Sequence, residues 1–176
     1  MQERIKNREY SRLNNETKLK LIESEELKVN DLVPNPIIIK SDLFKEEITE
    51  YALKQAILNN IDYFLGLLDI EFTYVGNEYK IKLGNRYNYI DLLLYNIKYK
   101  CYIVVELKVT ELKKEHTGKI MTYMNYIDKN IKTIDKNIKT IEENKTVGII
   151  ICKQDNKYII KYCSDNRIIS REYELV

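Results

Sequence analysis

A chain of 176 residues with 44% hydrophobic content is long enough for one domain with its own core and too apolar for a disordered segment. Its net charge is only +2, so no chain-wide field marks a nucleic-acid binder and any footprint must be local. The three cysteines lack CxxC spacing, the N-terminus has no apolar h-region, and no run approaches the roughly 18 apolar residues of a membrane span; together these argue for a cytoplasmic protein with reduced thiols and against zinc, secretion or membrane insertion.

Residues 1–33 are polar and loosely periodic, and read as an N-terminal helical arm that could dock on a second copy or a partner protein. Asn35-Pro36 ends it, because proline forces the preceding residue into extended geometry, and residues 34–176 form the domain proper. Residues 46–65 predict one amphipathic helix, with Ile48, Ala52, Leu53, Ala56, Ile57, Ile61, Phe64 and Leu65 on one face. Strands follow over 72–83, 87–95 and 99–108, rich in Tyr, Ile and Val and joined by the hairpin signals Gly84-Asn85 and Asn96-Ile97-Lys98. A helix is expected over 114–126, a buried strand over 146–152, and an edge element with a closing strand over 158–176. This order predicts an α/β or α+β fold, a central mixed sheet flanked by helices.

Residues 128–134 and 135–141 are both Asp-Lys-Asn-Ile-Lys-Thr-Ile. Seven residues make nearly two helical turns, so the duplication keeps an apolar face in phase and reads as a lengthened helix end or loop. It lies in the one basic stretch, where residues 98–145 hold eleven Lys against seven acids. That stretch is either a solvated helix face or a contact surface for phosphates.

Two acids lie where acids are costly. Asp91 interrupts Tyr89-Ile90-Asp91-Leu92-Leu93-Leu94-Tyr95, and Glu106 closes Tyr102-Ile103-Val104-Val105 ahead of Leu107-Lys108. A carboxylate inside such a strand costs several kcal/mol unless it is paired or binds a cation. Acid-x-Lys occurs seven times in this highly charged chain, but only Glu106-Leu107-Lys108 closes a buried-looking strand with a strand-embedded acid upstream. Glu106 and Lys108 would share a face, and an antiparallel hairpin would bring Asp91 to them. Two close carboxylates repel unless a cation lies between them, and Mg²⁺ or Mn²⁺ suits such oxygen ligands. Asp91, Glu106 and the Leu107 carbonyl are the expected metal ligands. Lys108 would orient the nucleophile or neutralise the phosphate. The alternative is a structural ion pair at the end of the sheet.

The stretch from Pro34 to Val176 resembles the YhcG-type family of predicted PD-(D/E)XK nucleases, through Glu78-Tyr79-Lys80-Ile81, Tyr89 to Tyr95, Val105 to Lys108, Gly118 with Tyr123, and Gly148 to Cys152. The resemblance implies a restriction-endonuclease-like core, with Asp91, Glu106 and Lys108 as metal and catalytic residues in a metal-dependent nuclease acting on nucleic acid, DNA foremost. It also implies that residues 1–33 are the tail of a further N-terminal domain. Two positions depart from the pattern. Lys119 stands where many relatives carry Gln, and Lys54 where many carry a glutamate after Leu53, leaving Glu50 as a substitute ligand. Lysine cannot ligate a metal, so a binding module that has lost catalysis is the alternative function, and a protein-interaction domain a third. Lys113, Lys114, Lys119 and Tyr123 are the expected nucleic-acid contacts. His116, the only histidine, lacks a nucleophile elbow and reads as an exposed residue near a helix start. No glycine-rich phosphate loop is present.

Overall fold

The computed structural model describes residues 29–42, 48–68, 71–131 and 144–176. Most of the N-terminal arm, residues 132–134 of the first heptad copy and all of the second lie outside them. In chain order the elements are α1 (Val29–Leu32), β1 (Ile37–Ile39), α2 (Glu50–Asn59), α3 (Ile61–Leu68), β2 (Phe72–Leu83), β3 (Arg86–Asn96), β4 (Cys101–Glu111), α4 (Lys114–Asn130), β5 (Val147–Gln154), α5 (Lys157–Cys163) and β6 (Ile168–Leu175).

The strands form one six-stranded mixed sheet in the order β1-β6-β5-β4-β3-β2. β2, β3 and β4 are an antiparallel meander, while β4, β5, β6 and β1 run parallel. The β2–β3 hairpin closes through Gly84-Asn85 between the paired Leu83 and Arg86; Gly84 takes φ +61° at the first turn position, which a residue without Cβ adopts freely. Parallel β4 and β5 need a crossover, and α4 supplies it.

Helices cover both faces. On one, Leu53, Ala56, Ile57 and Phe64 of α2 and α3 pack on Leu92, Leu94, Ile103, Val105, Leu107, Ile149 and Ile151. On the other, Ile120, Tyr123, Met124 and Ile127 of α4 pack on Leu93, Val104, Ile150 and Cys152. β5, Val-Gly-Ile-Ile-Ile-Cys, is apolar on both faces because both are covered. Gly148 is where α4 comes closest: a Cβ there would stand 2.6 Å from Met124 Sδ and 2.9 Å from Ile120 Cδ1.

Three expectations need correction. The single helix over 46–65 is two, because at Asn60 the backbone leaves the helix (φ −128°) and its N–H turns back to the Ile57 carbonyl. Residues 158–176 contain a helix, α5, and their strand β6 is internal. The edge is β1, three isoleucine residues that pair parallel with Tyr173 to Leu175. All three cysteines are outside any disulfide, and burial pushes the Cys152 thiol up to about 12, where it is inert. Among the described residues no helix is long and apolar enough to cross a membrane.

Candidate active site

The β3–β4 ladder runs from Asn96↔Cys101 to Leu92↔Val105 and stops one step short of Asp91 and Glu106. There the Asp91 side chain replaces the backbone: its Oδ2 accepts the Leu107 N–H at 2.9 Å. The phase of β3 also changes beside Asp91, since Ile90 and Leu93 both pack on the α4 side although strict alternation would separate them. Across the hairpin from Asp91, Glu78 adopts φ +46°, a left-handed conformation that strains a residue with a side chain. In a strand the N–H and C=O of one residue face the same neighbour, so the Leu107 carbonyl opens to the same gap as its amide.

Glu106 lies inside this gap, 1% exposed. Its Oε2 accepts from Lys119 Nζ of α4 at 3.0 Å, while its Oε1 is buried with no hydrogen-bond partner. Burial, aided by the nearby Asp91 charge, pushes the Glu106 carboxyl up to about 7, against the pull of Lys119 and Lys108. For Lys119, burial works against its charge, but Glu106 outweighs it and the ammonium pKa rises. The two ends of the pair therefore move the same way for opposite reasons: burial governs the enclosed carboxylate, and pairing governs the half-exposed ammonium.

The other cations come from the opposite layer or meet it. Lys54 of α2 donates to Glu78 Oε1 at 2.7 Å and lies 3.6 Å from Asp91 Oδ1. Burial opposes its charge, yet Glu78 and Asp91 together raise its pKa. Lys108 Nζ donates to both oxygens of Glu50, each at 3.2 Å. Four carboxylates, Glu50, Glu78, Asp91 and Glu106, thus face three ammoniums, Lys54, Lys108 and Lys119, so the ionised cluster carries −1.

Asp91, Glu106 and Lys108 come together, as Asp91 and Lys108 both act on the charge of Glu106. Glu50 is engaged with Lys108, and no group of three His, Cys, Asp or Glu side chains that could hold a metal occurs among the described residues. Lys113 and Lys114 lie exposed where α4 begins. Tyr123, expected to meet nucleic acid, is only 3% exposed; its ring is core, with Lys119 Nζ 5.4 Å from the ring centroid. His116 is half-buried rather than exposed. Its Nδ1 accepts the Lys113 N–H at 3.0 Å, and burial and the Lys108 charge lower its pKa, so it caps α4 as a neutral ring. The role of Lys54 as the shared partner of Glu78 and Asp91 was missed in the sequence. Glu78-Tyr79-Lys80 gave the only hint, because an acid in a long hairpin strand needs a partner.

A family model, the YhcG PDDEXK nuclease domain, matches residues 31–175. The chain belongs to this family. Among curated proteins, "Putative nuclease YhcG" of Escherichia coli (strain K12) is 21% identical over 146 residues, covering 81% of this chain and 37% of that protein. The chain thus spans well under half of that relative's length. Two solved structures align with part of the chain. A repair endonuclease from Pyrococcus abyssi aligns at 12% identity and TM-score 0.46 over 76% of this chain and 49% of its own. An EndoMS–dsDNA2 complex aligns at 13% identity and TM-score 0.45 over 76% and 48%. Within the YhcG domain family, this chain is a mixed-sheet α/β domain whose acids and lysines meet where β3 and β4 part.

Proposed function

We propose that this domain hydrolyses phosphodiester bonds of nucleic acid, DNA foremost, with a divalent metal, Mg²⁺ or Mn²⁺. The observation that carries the reading is the buried, unpartnered Oε1 of Glu106 beside Asp91 in a cluster of net charge −1. An orphaned carboxylate oxygen costs several kcal/mol in a low-dielectric site, and a cation removes that cost. Two carboxylates and a carbonyl suit Mg²⁺, which keeps water and substrate phosphate in its other positions.

Asp91, Glu106 and the Leu107 carbonyl would hold the metal. Bound there, it supplies Lewis-acid polarisation of the phosphate and a lowered water pKa. The protein's own groups do the rest. Asp91 is fixed by the Leu107 amide and Lys54, so it needs no reorganisation to act as a ligand. Lys108, held by Glu50, presents a positioned ammonium that can orient the attacking water or neutralise charge on the phosphate. Lys119 balances Glu106 when no cation does, and its half-exposed side chain can turn to the substrate phosphate when one does.

The test is cleavage of linear and single-stranded DNA in Mg²⁺, Mn²⁺ or EDTA by wild type, Asp91→Asn and Lys108→Met. Metal-dependent cleavage lost in both folded variants is expected; equal cleavage by all three would sink the proposal. A second reading, a binding module without catalysis, draws on the two lysines that already pair with the site carboxylates, Lys54 and Lys119. It predicts binding that falls with salt and is indifferent to Mg²⁺.

A further inference from the structure

The β2–β3 hairpin has one face that the site does not use. Ile81 and Ile90 point to the α4 side and are buried at 1% and 0% exposure. The opposite face carries the cross-strand pairs Lys80↔Tyr89 and Lys82↔Tyr87. Tyr87 and Tyr89 are 55% and 52% exposed, and Lys80 Nζ lies 4.0 Å from the Tyr87 ring centroid. Arg86, exposed at the hairpin end, pairs with Leu83 and so belongs to the α4 side rather than to this face. Residues 79–90 hold these three cations and no acid; the flanking acids, Glu78 and Asp91, are both engaged by Lys54.

β2 is an edge strand, and lysines on an edge guard against aggregation. That accounts for Lys80 and Lys82, but not for two open tyrosines on the inner strand β3. Tyr87, Tyr89 and Asp91 follow one another at two-residue steps of about 6.7 Å along β3. A line of cations and open rings running toward the site matches a phosphate backbone with accessible base faces. A duplex hides its base faces and would leave the rings unused.

Resting on the nuclease reading above, we propose that this face of the hairpin, Lys80, Lys82, Tyr87 and Tyr89, carries an unpaired nucleic-acid strand to Asp91. The cations hold phosphates and the tyrosines stack on bases.

The test measures fluorescence anisotropy in EDTA of labelled oligothymidylate and of a duplex of equal length, with the full chain. Tyr87→Ser and Tyr89→Ser should each weaken oligothymidylate binding about tenfold and spare the duplex, while Tyr87→Phe binds like wild type. Replacing Lys80 and Lys82 together by Gln should lower the slope of log affinity against log salt by about 1.4 on the single strand. Circular dichroism checks that each variant is folded. If wild type cleaves in Mg²⁺ while the folded hairpin variants bind unchanged, this surface is wrong and the nuclease reading stands. If wild type neither binds nor cleaves either substrate, the nuclease reading fails and takes this one with it.

Discussion

Glu106 and Lys119 form an unequal pair: the carboxylate side chain is 2% exposed, and the ammonium 3.0 Å away belongs to a side chain that is 43% exposed. The lysine can leave for solvent or substrate; the glutamate cannot follow.

Lys119→Met should therefore strand a buried acid. In EDTA the variant should lose about 1–3 kcal/mol of stability, less than a fully buried pair because Lys119 is half-exposed. Millimolar Mg²⁺ or Mn²⁺ should restore most of it, since a cation replaces the missing charge. Urea unfolding with and without metal measures this, and an equal loss in both conditions would count against a metal at Glu106.

Stability should also depend on pH through Glu106. The folded carboxyl titrates near 7 against an ordinary value of 4.5, so the native state binds this proton more tightly than the unfolded chain. That contribution is complete below about pH 4.5 and is lost as pH rises through 7. Across this window wild type should lose about 3 kcal/mol relative to Glu106→Gln in EDTA. Melting curves from pH 4.5 to 8 test it; parallel curves for the two proteins would show that Glu106 titrates normally.

Asp91→Asn and Asp91→Ala should separate chemistry from architecture. Both should abolish cleavage. Asparagine retains an acceptor for the Leu107 amide, whereas alanine leaves that amide unpaired, so Ala should melt lower by about 1–2 kcal/mol. Equal melting temperatures would mean that water replaces the bond.

Gly148→Ala should cost about 1–3 kcal/mol, because its Cβ would overlap Met124 and Ile120, both buried. Adding Met124→Ala should make the double variant more stable than the sum of the single losses, as the methyl group enters vacated space. Denaturant midpoints of the four proteins give the coupling, and strict additivity would contradict the packing described.

Where the sequence alternated clearly, the fold could be read. The three strands from Phe72, Tyr87 and Tyr99 are there to within three residues, and Asp91 does reach β4 beside Glu106, at the Leu107 amide. What escaped was set by tertiary context. Asn59-Asn60 gave no periodic signal for a break between α2 and α3. β1 is three residues long and exists only because β6 offers a free edge. Lys54, read as a lysine in the place of a glutamate ligand, is buried against Glu78, a partner 24 residues away that no local pattern announces. Tyr123 carried the same identity in either role, and only the packing of α4 decided for core.

Asp91 holds two strands together through the Leu107 amide as well as serving the proposed chemistry, and this shapes how related chains can decay. A copy that no longer cuts still needs an acceptor at that point, so an aspartate there is a poor guide to activity, and asparagine would be the natural relic. Lys108 is under no such obligation: its partner is a surface glutamate 45% exposed, and the sheet closes without it. Among relatives, the lysine rather than the aspartate should divide working nucleases from silent ones.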